Sequence, residues 1–299
     1  MQIAVTGATG FIGRRLVLEL TSAGHSVRAL VRRPIHEGRG LTTVRGSLAD
    51  RAALQTWARG ADAVVHLAGA VRGVDRTAFD AVNIAGTQAV LDALHTSAPQ
   101  AHLIHVSTLA AREPHLSDYA GSKRAAEDLV RNSQLAATTI LRPTAVYGPG
   151  DVELQPLLDS AAKGLATALG SIDNRVSLIH VDDVIGAILA SLAHPGHQEE
   201  PFELCDGAPG YRWPEIAATI AGITGKRVRL IAIPRGLLSI AGRMNRMSAR
   251  LIGYAPMLTP GKARELTHPD WSCDVTRFSE HASWMPRFDL TSGLATVLS

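Results

Sequence analysis

Three glycines placed directly after the first apolar run constrain this chain more than any other feature. The sequence opens Gln2-Ile3-Ala4-Val5-Thr6-Gly7-Ala8-Thr9-Gly10-Phe11-Ile12-Gly13. Ile3, Ala4 and Val5 read as a buried parallel strand, and a helix is expected to start near Phe11. Gly7 allows the tight turn, Gly10 lets a pyrophosphate approach the backbone, and Gly13 lets the helix pack close to the strand. Thr9, Phe11 and Ile12 complete the turn, whose helix N-terminus offers free N–H groups and the positive end of a dipole. The spacing G-x-x-G-x-x-G is one residue wider than the G-x-G-x-x-G dinucleotide fingerprint. An ordinary strand-to-helix turn is the plain alternative, and the position at the very first strand argues against it.

Strands and helices then alternate. A helix over Arg14–Ala23 precedes a strand at Ser26–Val31, and a short strand at Leu41–Arg45 precedes a helix around Arg51–Arg59. Strands follow at Ala63–Ala68, His102–Ser107 and Thr138–Arg142, separated by a long helix from Thr77 to His95 and another from Tyr119 to Asn132. This βαβ rhythm predicts an α/β fold: a Rossmann-type doubly wound parallel sheet with right-handed crossovers. It breaks after Gly148-Pro149-Gly150, where a smaller C-terminal substrate-binding lobe is expected. Ser177–Val181 and Phe202–Cys205 read as returns to the large sheet. The nucleotide-binding domain is therefore expected over 1–150 plus about 177–206, and the lobe over 151–176 and 207–299.

Composition narrows the function classes. The 299 residues are 46% hydrophobic and 19% charged, which describes a folded chain with ample core. A net charge of +3 gives no ground for a nucleic-acid partner. No apolar run approaches the ~20 residues that span a bilayer, and with a strand read from Gln2 no targeting segment is expected. Cys205 and Cys273 suit a reducing cytoplasm, the expected compartment, and the histidines lack ligand spacing, so no metal site is expected.

Tyr119-Ala120-Gly121-Ser122-Lys123 places a phenol and an ammonium one helical turn apart, on one face. A phenol titrates near 10 and works as an acid–base group at neutral pH only where its anion is favoured. The ammonium supplies that bias, so Tyr119 would donate a proton to a carbonyl as hydride arrives from a nicotinamide. Two amphipathic side chains on a surface helix are the plain alternative.

These motifs together resemble the short-chain dehydrogenase/reductase superfamily, in its extended branch of epimerases and dehydratases with reductase-like members. The resemblance spans nearly the whole length and rests on Thr6–Gly13, His66–Gly69, Asn83–Thr87, Val106–Thr108, Tyr119–Lys123, Leu141–Gly150 and Ile179–Val184. It implies that Thr108 is the catalytic hydroxyl, that Tyr119 is the acid/base, and that Lys123 holds the nicotinamide ribose and tunes Tyr119. It places Leu67, Ala68 and Gly69 beside the adenosine, Asn83 near the nicotinamide half, and Pro143 and Thr144 against the nicotinamide. The family's adenine-side Asp is Ser47 here, followed by Leu48. The family often dimerises through the two helices flanking the sheet, so a homodimer is expected.

The second strand ends in Val31-Arg32-Arg33, where an NAD-binding fold usually has an acid for the ribose 2′-hydroxyl. Arg32 and Arg33 suit a 2′-phosphate, so NADP(H) is the preferred cofactor, with NAD(H) as the alternative and a solvated loop edge as the plain reading. Two polar anchors that the branch uses for a sugar-nucleotide diphosphate are missing: Ala145 stands for an Asn, and Val176 stands where an Arg belongs, one position after Arg175. Arg235–Leu258 reads as an amphipathic helix and its exit, with Leu237, Ile240, Met244, Met247 and Leu251 on one face and Arg243, Arg246 and Arg250 on another. Substrate contacts are expected from Thr108, Ala145, Met244 and Met247. The basic face would also suit an anionic membrane surface, against the plain reading of a lobe helix with a core side and a wet side. The expected activity is NADP(H)-dependent reduction of a hydrophobic lipid- or steroid-like ketone, or oxidation of the alcohol, with 3-oxo-sphingolipid reductases among the analogies. The alternatives are a nucleoside-diphosphate-sugar epimerase or dehydratase, and a protein that binds the nucleotide without turnover.

Overall fold

The computed structural model describes residues 1–196 and 200–298. Its first part contains β1 (Gln2–Thr6), α1 (Phe11–Ser22), β2 (Ser26–Val31), β3 (Leu41–Arg45), α2 (Arg51–Ala58), β4 (Ala63–His66), α3 (Arg76–Asn83), α4 (Ala85–Ser97), β5 (His102–Val106), α5 (Asp118–Arg131) and β6 (Ala137–Pro143). The second part continues with β7 (Ala145–Tyr147), α6 (Gln155–Ala162), β8 (Leu165–Leu169), β9 (Arg175–Val176), β10 (Leu178–His180), α7 (Val181–Ala193) and β11 (Phe202–Leu204). It closes with β12 (Tyr211–Arg212), α8 (Trp213–Thr224), β13 (Arg229–Ile233), α9 (Arg235–Ile252), α10 (Pro260–Leu266), β14 (Asp270–Trp271), α11 (Thr276–Ala282) and α12 (Leu290–Leu298).

Seven parallel strands form the main sheet in the order β11-β6-β5-β4-β1-β2-β3. The expected Rossmann-type α/β fold is what the chain adopts. Alternate side chains of each strand enter opposite cores, the behaviour of a sheet covered on both faces. Ile3, Val5 and Ile104 pack with Leu16 and Leu20 of α1 and Ile185 and Ile188 of α7. Ala4 and Leu103 pack with Leu54 and Trp57 of α2, Leu94 of α4 and Val130 of α5. The connections reverse direction between β1 and β4, and the carboxyl ends of strands at such a switch point form a natural nucleotide crevice.

Two expectations need correction. The helix read as continuous from Thr77 to His95 is two helices, broken at Ile84. Asn83 turns its side chain back onto the loop at Ala70, and Thr87 Oγ1 takes the Asn83 carbonyl at 2.7 Å, so side-chain bonds compete with the helical ladder at the break. The strand at Ser177–Val181 does not return to the main sheet. Leu178–His180 pairs with Ala145–Tyr147 in a separate two-stranded sheet, whereas Phe202–Leu204 does join the main sheet, beside Leu141–Pro143.

Candidate active site

The glycine turn behaves as its chemistry requires. Gly7 has φ +71°, and a Cβ there would stand 2.8 Å from the amide nitrogen of Ala68. A Cβ on Gly13 would lie 2.1 Å from the Gly7 carbonyl oxygen, so α1 reaches the strand only because this residue has no side chain. Gly10 opens α1 with no side-chain cap, while Asp50, Asp75 and Ser117 close α2, α3 and α5. The one bare N-terminus of these four is the one expected to meet phosphates. Thr9 and Gly10 are exposed on the turn, and Phe11 and Ile12 anchor it to the core.

The other residues expected to meet a nucleotide lie at the ends of β2, β3, β4 and β6 and on α3. Arg32 and Arg33 project from the end of β2, exposed, and neither guanidinium is engaged by another described residue. Ser47 turns its hydroxyl to the Ala49 amide at 3.3 Å, and Leu48 packs on Gly86 of α4. Leu67, Ala68 and Gly69 leave β4 beside the glycine turn, and a Cβ on Gly69 would stand 3.2 Å from Asn83 Oδ1 and 3.8 Å from Lys123 Nζ. Asn83 is a brace: it accepts from the Ala70 amide at 2.7 Å and donates to Ser122 Oγ at 2.9 Å. Thr144, next to Pro143 at the end of β6, has a buried hydroxyl with no partner among the described residues. A dinucleotide fits these features: an uncapped helix start, a side-chain-free turn, two available guanidinium groups and an unpaired hydroxyl.

His66 locks this crevice from beneath. The Ala68 amide donates to Thr6 Oγ1 at 3.2 Å, which lies 2.7 Å from His66 Nδ1, while His66 Nε2 lies 3.1 Å from Thr87 Oγ1. Thr87 spends its proton on the Asn83 carbonyl, so it accepts from Nε2–H, and Nδ1 must remain an acceptor. Burial, reinforced by the nearby Lys123 ammonium, lowers the His66 pKa to about 3, in keeping with a permanently neutral ring.

Thr108 and Tyr119 share one wall of a cavity, while Lys123, one helical turn after Tyr119, is buried behind it. Thr108 follows β5 and lies near enough to the Tyr119 phenol to pull its pKa down, and both line the cavity. Lys123 is 6% exposed, and its Nζ donates to the Val106 carbonyl at 3.0 Å. Burial brings its pKa down to about 8, against the pull of Glu127. Glu127 is held by Ser107 Oγ at 2.5 Å and by a two-pronged contact with Arg142 at 2.9 and 2.6 Å. This buried pair ties α5 to β5 and β6, fixing the helix that carries both Tyr119 and Lys123.

The second lobe adds a group that sequence reasoning missed. Lys262 of α10 places its ammonium 5.3 Å from the centre of the Tyr119 ring. Burial raises the phenol's pKa, Lys262 draws it back, Glu265 adds to the rise, and the Thr108 hydroxyl lowers it. Lys262 donates to Glu265 at 2.8 Å, and Glu265 accepts from Ser117, the residue that caps α5. Burial works against the charge on Lys262, but Glu265 and Tyr119 outweigh it and hold its pKa above the ordinary value. Lys262 and Glu265 lie some 140 residues from Tyr119 in sequence, and only the Pro260 helix start hinted at an element there.

Tyr119 and Thr108 open into a cavity of about 370 Å³ between the sheet and the lobe. Its wall is mostly Leu154 at the cap of α6, Leu157 and Leu158 of α6, Trp213 of α8, Leu266 and Trp271, and it includes Ala145 and Val176. Arg175 turns away to the Pro209 carbonyl at 3.3 Å. Arg72 and Glu153 pair at 2.7 Å, joining the loop after β4 to the lobe. The methionine in the wall is Met257. Met244 and Met247, expected to touch substrate, are 63% and 65% exposed and do not line the cavity. The face of α9 that packs inward carries Leu238, Gly242 and Ala249 instead, because α10 approaches so closely that a Cβ on Gly242 would stand 2.7 Å from the Thr259 backbone.

Comparison with known proteins agrees with this geometry. Residues 3–205 match the model of the NAD dependent epimerase/dehydratase family. The chain belongs to that family. It is an oxidoreductase of the extended short-chain dehydrogenase/reductase branch, with relatives that are reductases. One is the ceramide reductase of Caulobacter vibrioides, 39% identical over 90% of this chain and 85% of that protein. Another is the 2-alkyl-3-oxoalkanoate reductase of Stenotrophomonas maltophilia, 35% identical over 65% of this chain and 64% of that protein. Among solved structures, MoeE5 in complex with UDP-glucuronic acid and NAD superposes over all of this chain and 98% of its own, with a TM-score of 0.76 at 22% identity.

Proposed function

We propose that this family member is an NADP(H)-dependent carbonyl reductase whose substrate is a long, apolar ketone of the lipid class. The observation that carries the reading is the cavity wall. Beside Tyr119 it presents leucines, Trp213 and Trp271, and at the two positions expected to hold a diphosphate it presents Ala145 and Val176. A desolvated diphosphate needs hydrogen-bonding or cationic partners, whereas an acyl chain gains from apolar walls. The ammonium in the cavity, Lys262, is already paired with Glu265. The names of the two relatives support the same class: one is a ceramide reductase and the other a 2-alkyl-3-oxoalkanoate reductase.

In this reading the nicotinamide, when bound, supplies the hydride that reduces the ketone. The chain's own residues manage the proton and the position of the oxygen. Tyr119 protonates the forming alkoxide, Thr108 hydrogen-bonds the same oxygen, and Lys123 and Lys262 stabilise the tyrosinate from two sides. Arg32 and Arg33 hold the 2′-phosphate, so NADPH binds more tightly than NADH.

The test is a panel of ketones and sugar nucleotides scored by NADPH oxidation and by thermal shift. Sphingoid, 3-oxo-acyl and steroid ketones are expected to be turned over, with UDP-, GDP- and dTDP-sugars inert. Protection by micromolar UDP-sugar with every lipid ketone inactive contradicts the proposal and makes the protein an epimerase or dehydratase. Arg32→Ala combined with Arg33→Ala is expected to erase the preference for NADPH while leaving NADH affinity unchanged; equal affinities in the unaltered protein would make the two arginines mere surface.

A further inference from the structure

We infer that α9 and the basic segments around it form a docking face for an anionic lipid surface. Three observations carry the inference. The first is the distribution of charge. Residues 216–264 contain nine Lys and Arg and no Asp or Glu, while the remaining 250 residues carry 21 basic and 27 acidic side chains. A nearly balanced chain therefore holds its positive charge in one stretch. Of those nine, Lys262 lies in the cavity and Arg264 bonds the Leu116 carbonyl. Lys226, Arg227, Arg229, Arg235, Arg243 and Arg250 are exposed and Arg246 half-buried, and among the described residues none of these seven forms an ion pair.

The second observation is an apolar stripe that nothing in the fold covers. Leu237, Ile240, Met244, Met247 and Leu251 recur at alternating steps of three and four residues, which aligns them along one side of the helix. They are 59%, 55%, 63%, 65% and 83% exposed, although α9 is otherwise firmly seated on α10 through Leu238, Gly242 and Ala249. At 100° per residue, Arg243 and Arg250 fall along one edge of the stripe and Arg246 just beyond them. A helix that lies in a membrane interface has this pattern: an apolar side sunk to the acyl boundary and arginines at its edge reaching the headgroups. No helix among the described residues is long and apolar enough to cross a bilayer, so the face would lie on the membrane and not span it.

The third is what the stripe is attached to. The chain leaves α9 through Tyr254 and Met257, and Met257, Lys262 and Leu266 are wall residues of the cavity. The lipid-facing helix and the substrate wall are one continuous piece of chain, which suits a substrate drawn from a membrane.

A lipid surface fits better than the other occupants. Nucleic acid would use the cations and leave the aliphatic stripe in water. A second copy would bring the same cations against the same stripe, with no carboxylate from this segment to meet them.

The test is co-flotation of the full chain with vesicles of phosphatidylglycerol and phosphatidylcholine, against vesicles of phosphatidylcholine alone. Binding is expected only to the anionic vesicles, falling at least tenfold when salt is raised from about 0.1 M to 0.5 M, as the Debye length shortens. Arg243→Glu with Arg250→Glu should reduce binding at least tenfold, and Ile240→Ser with Leu251→Ser several-fold. All four positions are exposed, so an unchanged melting temperature shows that the variants still fold. Absence of binding to anionic vesicles, or equal binding to both vesicle types, overturns the inference. So does a vesicle-free dimer that the Ile240→Ser and Leu251→Ser variant dissolves, since that would make the stripe a self-interface. None of these readouts depends on turnover, so the result stands apart from the proposed substrate.

Discussion

The nucleotide-side half and the lobe of this protein are built on opposite principles. In the first half, the residues assigned to function lie in short sequence neighbourhoods: the turn from Gly7 to Gly13, the pair Tyr119 and Lys123, and the arginines after β2. In the lobe, distant residues are brought together by packing: Leu154, Trp213, Met257, Lys262 and Trp271 share a cavity without sharing a motif. On the proposed reading the first half carries the chemistry common to many substrates. On the same reading the lobe decides which molecule meets it, and it also reaches back to α5 through Lys262, Glu265 and Ser117.

The sharpest way to break this division is to remove the proton donor of the first half. Tyr119→Phe keeps the ring, so the cavity and nucleotide affinity should survive while turnover falls roughly 10²–10⁴-fold. Steady-state kinetics and nucleotide titration check it; near-normal turnover would move the acid elsewhere. A smaller effect is expected from the lobe's own cation. With a positive charge 5.3 Å from the ring removed, Lys262→Met should raise the pKa of Tyr119 further and lower turnover about tenfold. In the reductive direction the phenol must be protonated, so the alkaline limb of the pH–rate profile shifts upward. Lys262→Arg should restore both, and an unshifted limb in Lys262→Met would reduce the lysine to a wall residue.

The smallest effect concerns the sheet itself. His66, His102 and His105 are buried, and burial lowers their pKa, to about 3 for His66, to about 4 for His102 and well below 6.5 for His105. The unfolded chain therefore binds protons first as pH drops, and stability is lost from about pH 6.5 downward, by up to about 1.4 kcal/mol per pH unit for each ring. For His102 the loss ends near pH 4. Chemical denaturation of His102→Gln at pH 7 and pH 5 should show a shallower decline than the unaltered protein.

The sheet was legible because parallel strands buried on both faces read as uniform apolar runs, and because the glycine turn has a steric reason at each position. The break at Ile84 was not legible, since it depends on Asn83 bracing a loop from β4. Leu178–His180 has the apolar look of a main-sheet strand, yet Ala145–Tyr147 pairs with it first. The amphipathic pattern of α9 was read correctly as a pattern and assigned to the wrong neighbour. Periodicity says that a helix has an apolar side; it does not say whether α10, a ligand or a membrane covers it. Leu238 and Ala249 meet the protein, and Met244 and Met247 do not. Lys262 was invisible for a related reason: a charged residue in a short helix reads as surface until tertiary packing sets it over Tyr119.

The central claim is that an apolar cavity beside Tyr119 selects the substrate, and a homologous series of ketones tests it most directly. Each added methylene that enters the cavity should contribute about 0.8 kcal/mol, close to a fourfold rise in kcat/KM, until the available space is filled. A steep rise followed by a plateau, with Trp213→Ser flattening the slope, is the result this account predicts. A series indifferent to chain length, with activity following a charged or sugar-bearing headgroup instead, would contradict it.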